Sequence, residues 1–222
     1  MEEHLRFDLH VHTTRGSDCS ILAPDDLIKR AALLGLAGVC ITEHDHLSRS
    51  PELEGLAHEK GLLLFYGIEA NTDCGEVLAF GPKKYVEGFH KLQNLRRAVD
   101  HEGGIIVAAH PFRQVFSPFY AHRRTPRLTL QDAVRWPVME QVDALEVVNG
   151  ASTVEEAAFA RSVSKELGLG MTGGSDAHSV EAIGMCVTVF ERAVSGWTEF
   201  LQELRAGRYH PQDLRTVLPP PR

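Results

Sequence analysis

A chain of 222 residues with 43% hydrophobic and 24% charged side chains has the composition of one compact domain, with no room for a second of ordinary size. Its net charge of −7 argues against a broad basic surface and against duplex nucleic acid as a partner, so an anionic ligand must be met by local positive charge. No apolar run reaches the ~20 residues of a membrane span, and the start, MEEHLRFD, lacks the basic and apolar segments of a signal peptide; the expectation is a cytoplasmic protein without membrane contact. Cys19, Cys40, Cys74 and Cys186 are widely spaced with no C-x-x-C, which points to reduced thiols and away from a zinc ribbon or redox pair. The unusual number is the twelve histidines.

In chain order, Leu5 to Val11 reads as a strand, and residues 24–35 (PDDLIKRAALLG) as a helix with Pro24 at its start and Gly35 at its end. Val39 to Thr42 is a short buried strand, Pro51 to Lys60 a helix, Leu62 to Ile68 a strand, and Gly75 to Phe80 another after a turn at Asn71-Thr72-Asp73. Phe89 to Glu102 reads as a helix, and Gly103 to Pro111 (GGIIVAAHP) as a strand stopped by proline. Residues 112–130, with four arginines and two prolines, form an excursion over one face. The pattern resumes with strand Asp143 to Val148, a helix from Thr153 to Leu167 whose Thr153 and Glu156 are spaced as a capping box, strands at Leu169 to Thr172 and Cys186 to Phe190, and a helix from Trp197 to Ala206. This order predicts one domain over residues 1–210 and a Pro-rich tail over 211–222. Alternating β and α elements predict an α/β fold, a mostly parallel sheet closed or nearly closed into a barrel smaller than a full eight-fold one.

In such barrels the chemistry gathers at the carboxyl ends of the strands. Those ends carry Asp8-Leu9-His10-Val11-His12, Thr42-Glu43-His44-Asp45-His46, Gly67-Ile68-Glu69, His110-Pro111 and Gly174-Ser175-Asp176-Ala177-His178, whereas the 143–148 strand offers only Glu146 and Asn149. Residues i and i+2 of a strand face the same side, so His10 and His12 can serve one ion, and Asp176 and His178 two neighbouring ones. A carboxylate such as Glu69 can bridge cations, which an imidazole cannot. Each group alone also has an ordinary reading: a packed core histidine for His110, a salt-bridged carboxylate for Glu69. Their coincidence at five strand ends carries the weight. His46 reads as a rim residue or a substrate contact, and His4, His58, His90, His101, His122 and His210 as surface residues. Gly168-x-Gly170-x-x-Gly173 matches a dinucleotide fingerprint but does not link a strand to a helix, and neither a Walker A sequence nor a G-x-S-x-G elbow is present.

The ordered set Asp8-x-His10-x-His12, Asp18 in GSDCS, Thr42-Glu43-His44, Gly67-Ile68-Glu69, His110-Pro111 and Asp176-x-His178 resembles the polymerase and histidinol phosphatase (PHP) superfamily over about residues 5–190. The resemblance implies a distorted (β/α)7 TIM-like barrel, two to three divalent ions (Zn, Mn or Fe) at its carboxyl-terminal face, and metal-dependent phosphoester hydrolysis. It implies His10, His12, Glu69 and Asp176 as ligands of one ion, Glu69 and His110 of a second, and Asp18, His44 and His178 of a third. Two positions depart from the pattern. Glu43 stands where many members have Asp, at a position supporting the ligands. Glu146 and Asn149 stand where some relatives supply a further His, which implies a second ion held weakly by Glu69, His110 and water.

The ligands are all nitrogen or oxygen donors, suited to Zn, Mn or Fe(II) and to a metal-activated hydroxide attacking phosphorus. Arg113, three residues past His110, is similar to the arginine of nucleotide-directed PHP phosphatases and would clamp a phosphate. Asp8 is expected to orient a histidine or a water, His178, His46 or water to protonate the leaving group, and Arg123, Arg124, Arg127 and Asn149 to stand as candidate substrate contacts. The expected function is hydrolysis of a small phosphorylated substrate: a nucleotide, a short oligonucleotide or a metabolite such as histidinol phosphate. The alternatives are a metal-dependent carbamate, amide or ester hydrolase, and a non-catalytic metal-binding PHP module.

Overall fold

The first strand shows how this sequence builds its barrel. In β1 (Arg6–Val11), Phe7 and Leu9 join a buried cluster drawn from several strands, whereas Val11 packs with Leu27, Ile28 and Ala31 of helix α1 (Pro24–Leu33) on the outer face. The switch of face is made by a bulge: Asp8 pairs with Val39 and Val11 with Ile41 of β2 (Gly38–His44), so β1 carries one extra residue. A bulge re-aims the side chains that follow it. After it, His10 and His12 face inward although Phe7 and Leu9 face inward before it.

We analysed a computed structural model that describes residues 5–84, 86–117 and 128–216. The remaining elements are α2 (Pro51–Glu59), β3 (Leu63–Thr72), β4 (Gly75–Phe80), α3 (Leu92–His101), β5 (Ile105–Ala108), a short α4 (Leu130–Ala133), a 3-10 turn (Pro137–Glu140), β6 (Ala144–Asn149), α5 (Val154–Leu167), β7 (Gly170–Gly174), β8 (Cys186–Phe190), α6 (Trp197–Arg205) and β9 (Tyr209–Asp213). The strands form one sheet in the order β7-β6-β5-β4-β3-β2-β1-β8-β9. Pairing is parallel in β1-β2-β3 and in β5-β6-β7, while β4 runs antiparallel to both its neighbours. The carboxyl ends of β1, β2, β3, β5, β6 and β7 therefore lie at one end of the sheet. Beyond β7 the chain returns to β1 through a parallel bridge between Val11 and Ala177, with His12 N donating to Ala177 O over 2.9 Å. Thr188 Oγ1, on β8, accepts from Gly173 N at 2.9 Å and donates to Gly173 O at 2.8 Å, so the barrel-like sheet is nearly closed.

The α/β reading holds, and three details differ. A regular seven-fold βα repeat is not seen among the described residues, because β3 joins β4 by a hairpin and β7 joins β8 without a helix. The turn falls at Asp73-Cys74, later than expected, since Thr72 Oγ1 donates to Gly75 O over 2.6 Å and holds Thr72 in β3. The tail expected from residue 211 begins later, because Tyr209–Asp213 pairs antiparallel with β8; residues 217–222 lie outside the described set. The capping box of α5 is formed as expected, with Thr153 accepting from Glu156 N and Glu156 from Thr153 N. The fingerprint glycines are structural: Gly168 ends α5 in the left-handed region at φ 67, and a Cβ on Gly173 would lie 2.5 Å from Val187 O.

Two helical layers cover the outer face, α1 and α2 over β1–β3 and α3, α4 and α5 over β4–β6. The inner face below the site is filled by Phe7, Leu9, Phe65, Leu78, Phe80, Val107 and Phe190. Phe200 of α6 enters this cluster, its ring 4.7 Å from Phe65, 5.8 Å from Phe80 and 5.7 Å from Phe190. It closes the end opposite the strand termini. Phe200→Ala is expected to cost about 3–5 kcal/mol in urea unfolding through loss of apolar burial and the cavity left behind. Metal bound per folded molecule should stay the same, because the rings packed on it, those of Phe7, Phe65, Phe80, Phe190 and Trp197, belong to no residue of the site.

Candidate metal centre

Glu69 is the middle of the site. It ends the inward-facing row of β3, is 2% exposed, and turns each carboxylate oxygen toward a different pair of imidazoles. Its Oε1 lies 3.3 Å from His10 Nε2 and 3.0 Å from His110 Nε2; its Oε2 lies 3.2 Å from His12 Nε2 and 2.8 Å from His44 Nδ1. Asp176 Oδ1 completes the set, 3.5 Å from His10 Nε2 and 3.3 Å from His12 Nε2. The donor atoms fall into three groups that could each hold an ion: His10, His12 and Asp176; His10, Glu69 and His110; and His12, His44 and His178. The rings of His12 and His44 stack at 4.2 Å and those of His12 and His178 at 4.5 Å.

Two features show that these residues fit divalent cations. The Nε2 atoms of His10 and His12 face each other at 3.0 Å with carboxylate oxygens beside them, an arrangement in which two lone pairs are best satisfied by a common cation. Glu69 Oε2 is buried and makes no hydrogen bond of good geometry among the described residues despite the ring nitrogens beside it. A buried carboxylate oxygen left so is costly unless a cation meets it. No thiol enters the three groups, which keeps the donor set to nitrogen and oxygen.

The electrostatics follow from crowding. Burial alone would lower the His10 pKa, but the carboxylates of Glu146, Glu69 and Asp176 overcome it and hold it well above the ordinary value. Burial likewise opposes ionisation of Glu69 and Asp176, yet His10 and the neighbouring donors drive both far below the usual carboxylate range. His44 is raised by its contact with Glu69, and His178 is lowered by burial. His178 Nδ1 meets the backbone carbonyl of Asp176 at 2.8 Å, which leaves Nε2 as its outward face.

A surrounding layer fixes these rings. Glu146 on β6 holds His10 Nδ1 at 3.0 Å through Oε1, while its Oε2 accepts from His110 N and from Asn149 Nδ2, each at 3.0 Å. Gly174 makes room for both, since a Cβ there would sit 2.5 Å from His10 Cβ and 2.6 Å from Glu146 Oε1. Glu43 accepts from Thr13 N, from Thr13 Oγ1 at 2.5 Å and from Ser17 Oγ at 2.6 Å, and Ser17 Oγ lies 3.1 Å from His12 Nδ1. His110 and Asp176 take positive φ angles of 30 and 54, backbone strain stored at the site.

His10, His12, His44, Glu69, His110, Asp176 and His178 are thus brought together, and several expectations need correction. Asp18 is exposed and belongs to none of the three groups; the turn after Thr13 points Ser17 inward instead, and His12 joins His44 and His178. Asp8 orients no ring. Its carboxylate accepts from His10 N, Ser175 N, Ser175 Oγ and Gly184 N, tying β1 to the segments after β7, and burial pushes its pKa up to about 6. Asn149 is fully buried and its amide is committed to Glu146, Arg113 and Ala151 N, so it is a brace, not a free substrate contact. His46 is exposed and stands outside the three groups. Arg123, Arg124 and Arg127 lie outside the described residues. Arg113 is at the rim, its Nη2 donating to Asn149 Oδ1 at 2.8 Å and to Asp176 Oδ2. Sequence reasoning missed Ser17, Ser175 and the role of Glu146; for Glu146, its place two residues past Ala144 on the inward row was the available signal.

A polypeptide with this sheet and this ring of histidines and acids has relatives. The family model for the PHP domain matches residues 8–130, more than half of the chain, and the PHP-associated model matches residues 155–209. The chain belongs to the PHP domain family. A PolC-type DNA polymerase III of Oceanobacillus iheyensis is 31% identical over 80 residues, a match covering 36% of this chain and only 6% of that much longer protein. Among solved structures, a two-domain protein of Bacteroides vulgatus containing a predicted PHP-like metal-dependent phosphoesterase superposes with TM-score 0.67 and 21% identity over 94% of this chain and 64% of that one. An amidohydrolase of Chromobacterium violaceum superposes with TM-score 0.62 and 15% identity over 91% and 96% of the two chains. At these identities the structural likenesses establish the fold alone.

Glu146→Ala is expected to lower metal affinity by about 10–100-fold, because His10 loses the partner that fixes its tautomer and ring plane. Calorimetric titration with Mn(II) or Zn(II) would measure it. Unchanged affinity would assign Glu146 to packing alone.

Proposed function

We propose that the protein is a metal-dependent phosphatase or phosphoesterase acting in the cytoplasm on a small phosphorylated substrate, such as a nucleotide, a short oligonucleotide or a phosphorylated metabolite. The observation that carries the reading is Glu69, whose two oxygens each face a separate pair of imidazoles, with one guanidinium at the rim of the same cluster. His10, His12, Glu69 and Asp176 would hold the first ion, His110 with Glu69 a second, and His44 with His178 a third. When bound, two to three Zn, Mn or Fe(II) ions lower the pKa of water and neutralise the phosphoryl oxygens.

The chain's own residues do the rest. Arg113 Nε is buried without a hydrogen-bond partner among the described residues, while Nη2 is held by Asn149 and Asp176. The part of the guanidinium that stays open at the rim would give a phosphoryl oxygen a charge-assisted bond from a group already held in place. His178, with Nδ1 fixed on the Asp176 carbonyl, presents Nε2 to the third ion, which leaves His46 or water to protonate the departing oxygen. Glu146 and the Glu43–Ser17 pair orient His10 and His12 throughout.

Chelation is expected to abolish hydrolysis of p-nitrophenyl phosphate and added Mn(II) to restore it, and His12→Ala or Asp176→Ala to leave no restorable activity. Steady turnover in the chelated protein would overturn the reading. Arg113→Ala should cost about 10–100-fold in kcat/KM on phosphoesters, the worth of a hydrogen bond to a charged group, and spare a carbamate ester. An equal loss on both would remove the phosphate-binding role, and turnover of the carbamate alone would make the protein a carbamate, amide or ester hydrolase.

A further inference from the structure

At the end of the sheet opposite the metal centre, a cavity of about 350 Å³ lies where β5, β6, β7 and β9 begin and where α3, α5 and α6 stop. Arg96 and Arg205 line it against Asp100 and Asp143, so its fixed charges balance. Arg96 is already spent: its Nη2 lies 2.6 Å from Asp100 Oδ1 and its Nη1 2.5 Å from Asp143 Oδ2. Asp143 Oδ2 also accepts from Ile106 N at 2.7 Å, whereas Asp143 Oδ1 accepts from no group among the described residues. Arg205, in the last turn of α6, is exposed and forms no ion pair among the described residues. One guanidinium and one carboxylate oxygen are therefore left open to the same cavity.

Tyr209 adds a third group. It is 8% exposed, its ring lies 6.0 Å from that of Phe190, and its hydroxyl stands over Gly170, where a Cβ would come within 2.3 Å of it. Burial, with the Asp143 charge behind it, holds its pKa well above the ordinary value, so it stays an O–H. That hydroxyl has no partner among the described residues, and a polar group set so deep is costly unless something in the cavity meets it. The carboxyl ends of three helices border the same space, and the negative ends of their dipoles favour a cation there. We propose that this cavity binds a small zwitterion of the α-amino acid class, with its ammonium on Asp143 Oδ1 and Tyr209 Oη and its carboxylate on Arg205. A simple anion or cation would meet only one of the two open charges. A zwitterion meets both and adds no net charge to a balanced site. Binding here is independent of the reaction at the metal centre.

Isothermal titration calorimetry of the full, metal-loaded chain with the standard α-amino acids tests this, followed by the N-acetyl and amide forms of the tightest binder. Each capped form is expected to bind about 10–100-fold more weakly, because it loses a hydrogen bond between charged groups. Arg205→Met and Tyr209→Phe should each weaken the uncapped amino acid by about tenfold or more. Both variants should keep the metal content and any p-nitrophenyl phosphate turnover of the parent, since neither residue belongs to the metal cluster. Asp143→Asn should abolish binding; if it fails to fold, because Oδ2 also holds Arg96 and Ile106 N, the other two variants decide. The proposal is overturned if no standard amino acid binds at millimolar concentration, or if a capped form binds as well as its parent. It is equally overturned if binding is undiminished in Arg205→Met or Tyr209→Phe; binding that instead disappears on chelation would place the amino acid on the metal ions.

Discussion

Placing the Glu69 carboxylate at the closed heart of an α/β barrel is the constraint around which the site is organised. A buried carboxylate surrendering its water is unfavourable by several kcal/mol unless charge and hydrogen bonds compensate. Here the compensation comes from His10, His12, His44 and His110, carried by three separate strands or strand ends. The parallel order of β1, β2 and β3 and the parallel return of β5 bring those ends together, and the antiparallel β4 between β3 and β5 keeps both pointing the same way. With Asp176 beside Glu69 and Glu146 behind His10, three carboxylates crowd the same few imidazoles, which is why the centre calls for cations.

The backbone bends to meet that demand in places where regular geometry would not. The bulge in β1 turns His10 and His12 inward, and a second register shift in β6, between Glu146 and Val148, lets both Glu146 and Asn149 reach the same interior. His110 and Asp176 adopt positive φ, a conformation that non-glycine residues avoid. Such departures cluster where ligands must be aimed, while the aromatic floor around Phe200 uses regular strands and ordinary packing. The molecule thus separates a conventional stabilising end from a strained chemical end.

The alternation of strand and helix was legible in the sequence because apolar runs and breakers alternate plainly, and the histidines at strand ends stood out because the i, i+2 rule places His10 beside His12. The rest depends on information that no local pattern holds. A one-residue bulge leaves no mark in composition, so the reach of Glu146 to His10 across 136 positions could not be read, nor could Ser17 be preferred over Asp18 in GSDCS. Strand β9 escaped because Pro211 and the prolines of the C-terminal run suggested a tail, whereas an edge strand tolerates a proline, which has no N–H to donate to the ladder. Asp8 carried the right residue type for orienting a ligand but is spent on backbone amides, a choice settled only by where Ser175 and Gly184 fold.

Gly174 carries one more consequence. The metal-facing side chains belong to a chemically exchangeable class, in which an imidazole or carboxylate can be traded for another nitrogen or oxygen donor at some loss. No such trade exists at position 174, where even a methyl group would collide with His10 and Glu146 at once. Among divergent chains of this architecture, a side chain at that position would mark a centre that has already been dismantled, even where every ligand letter survives.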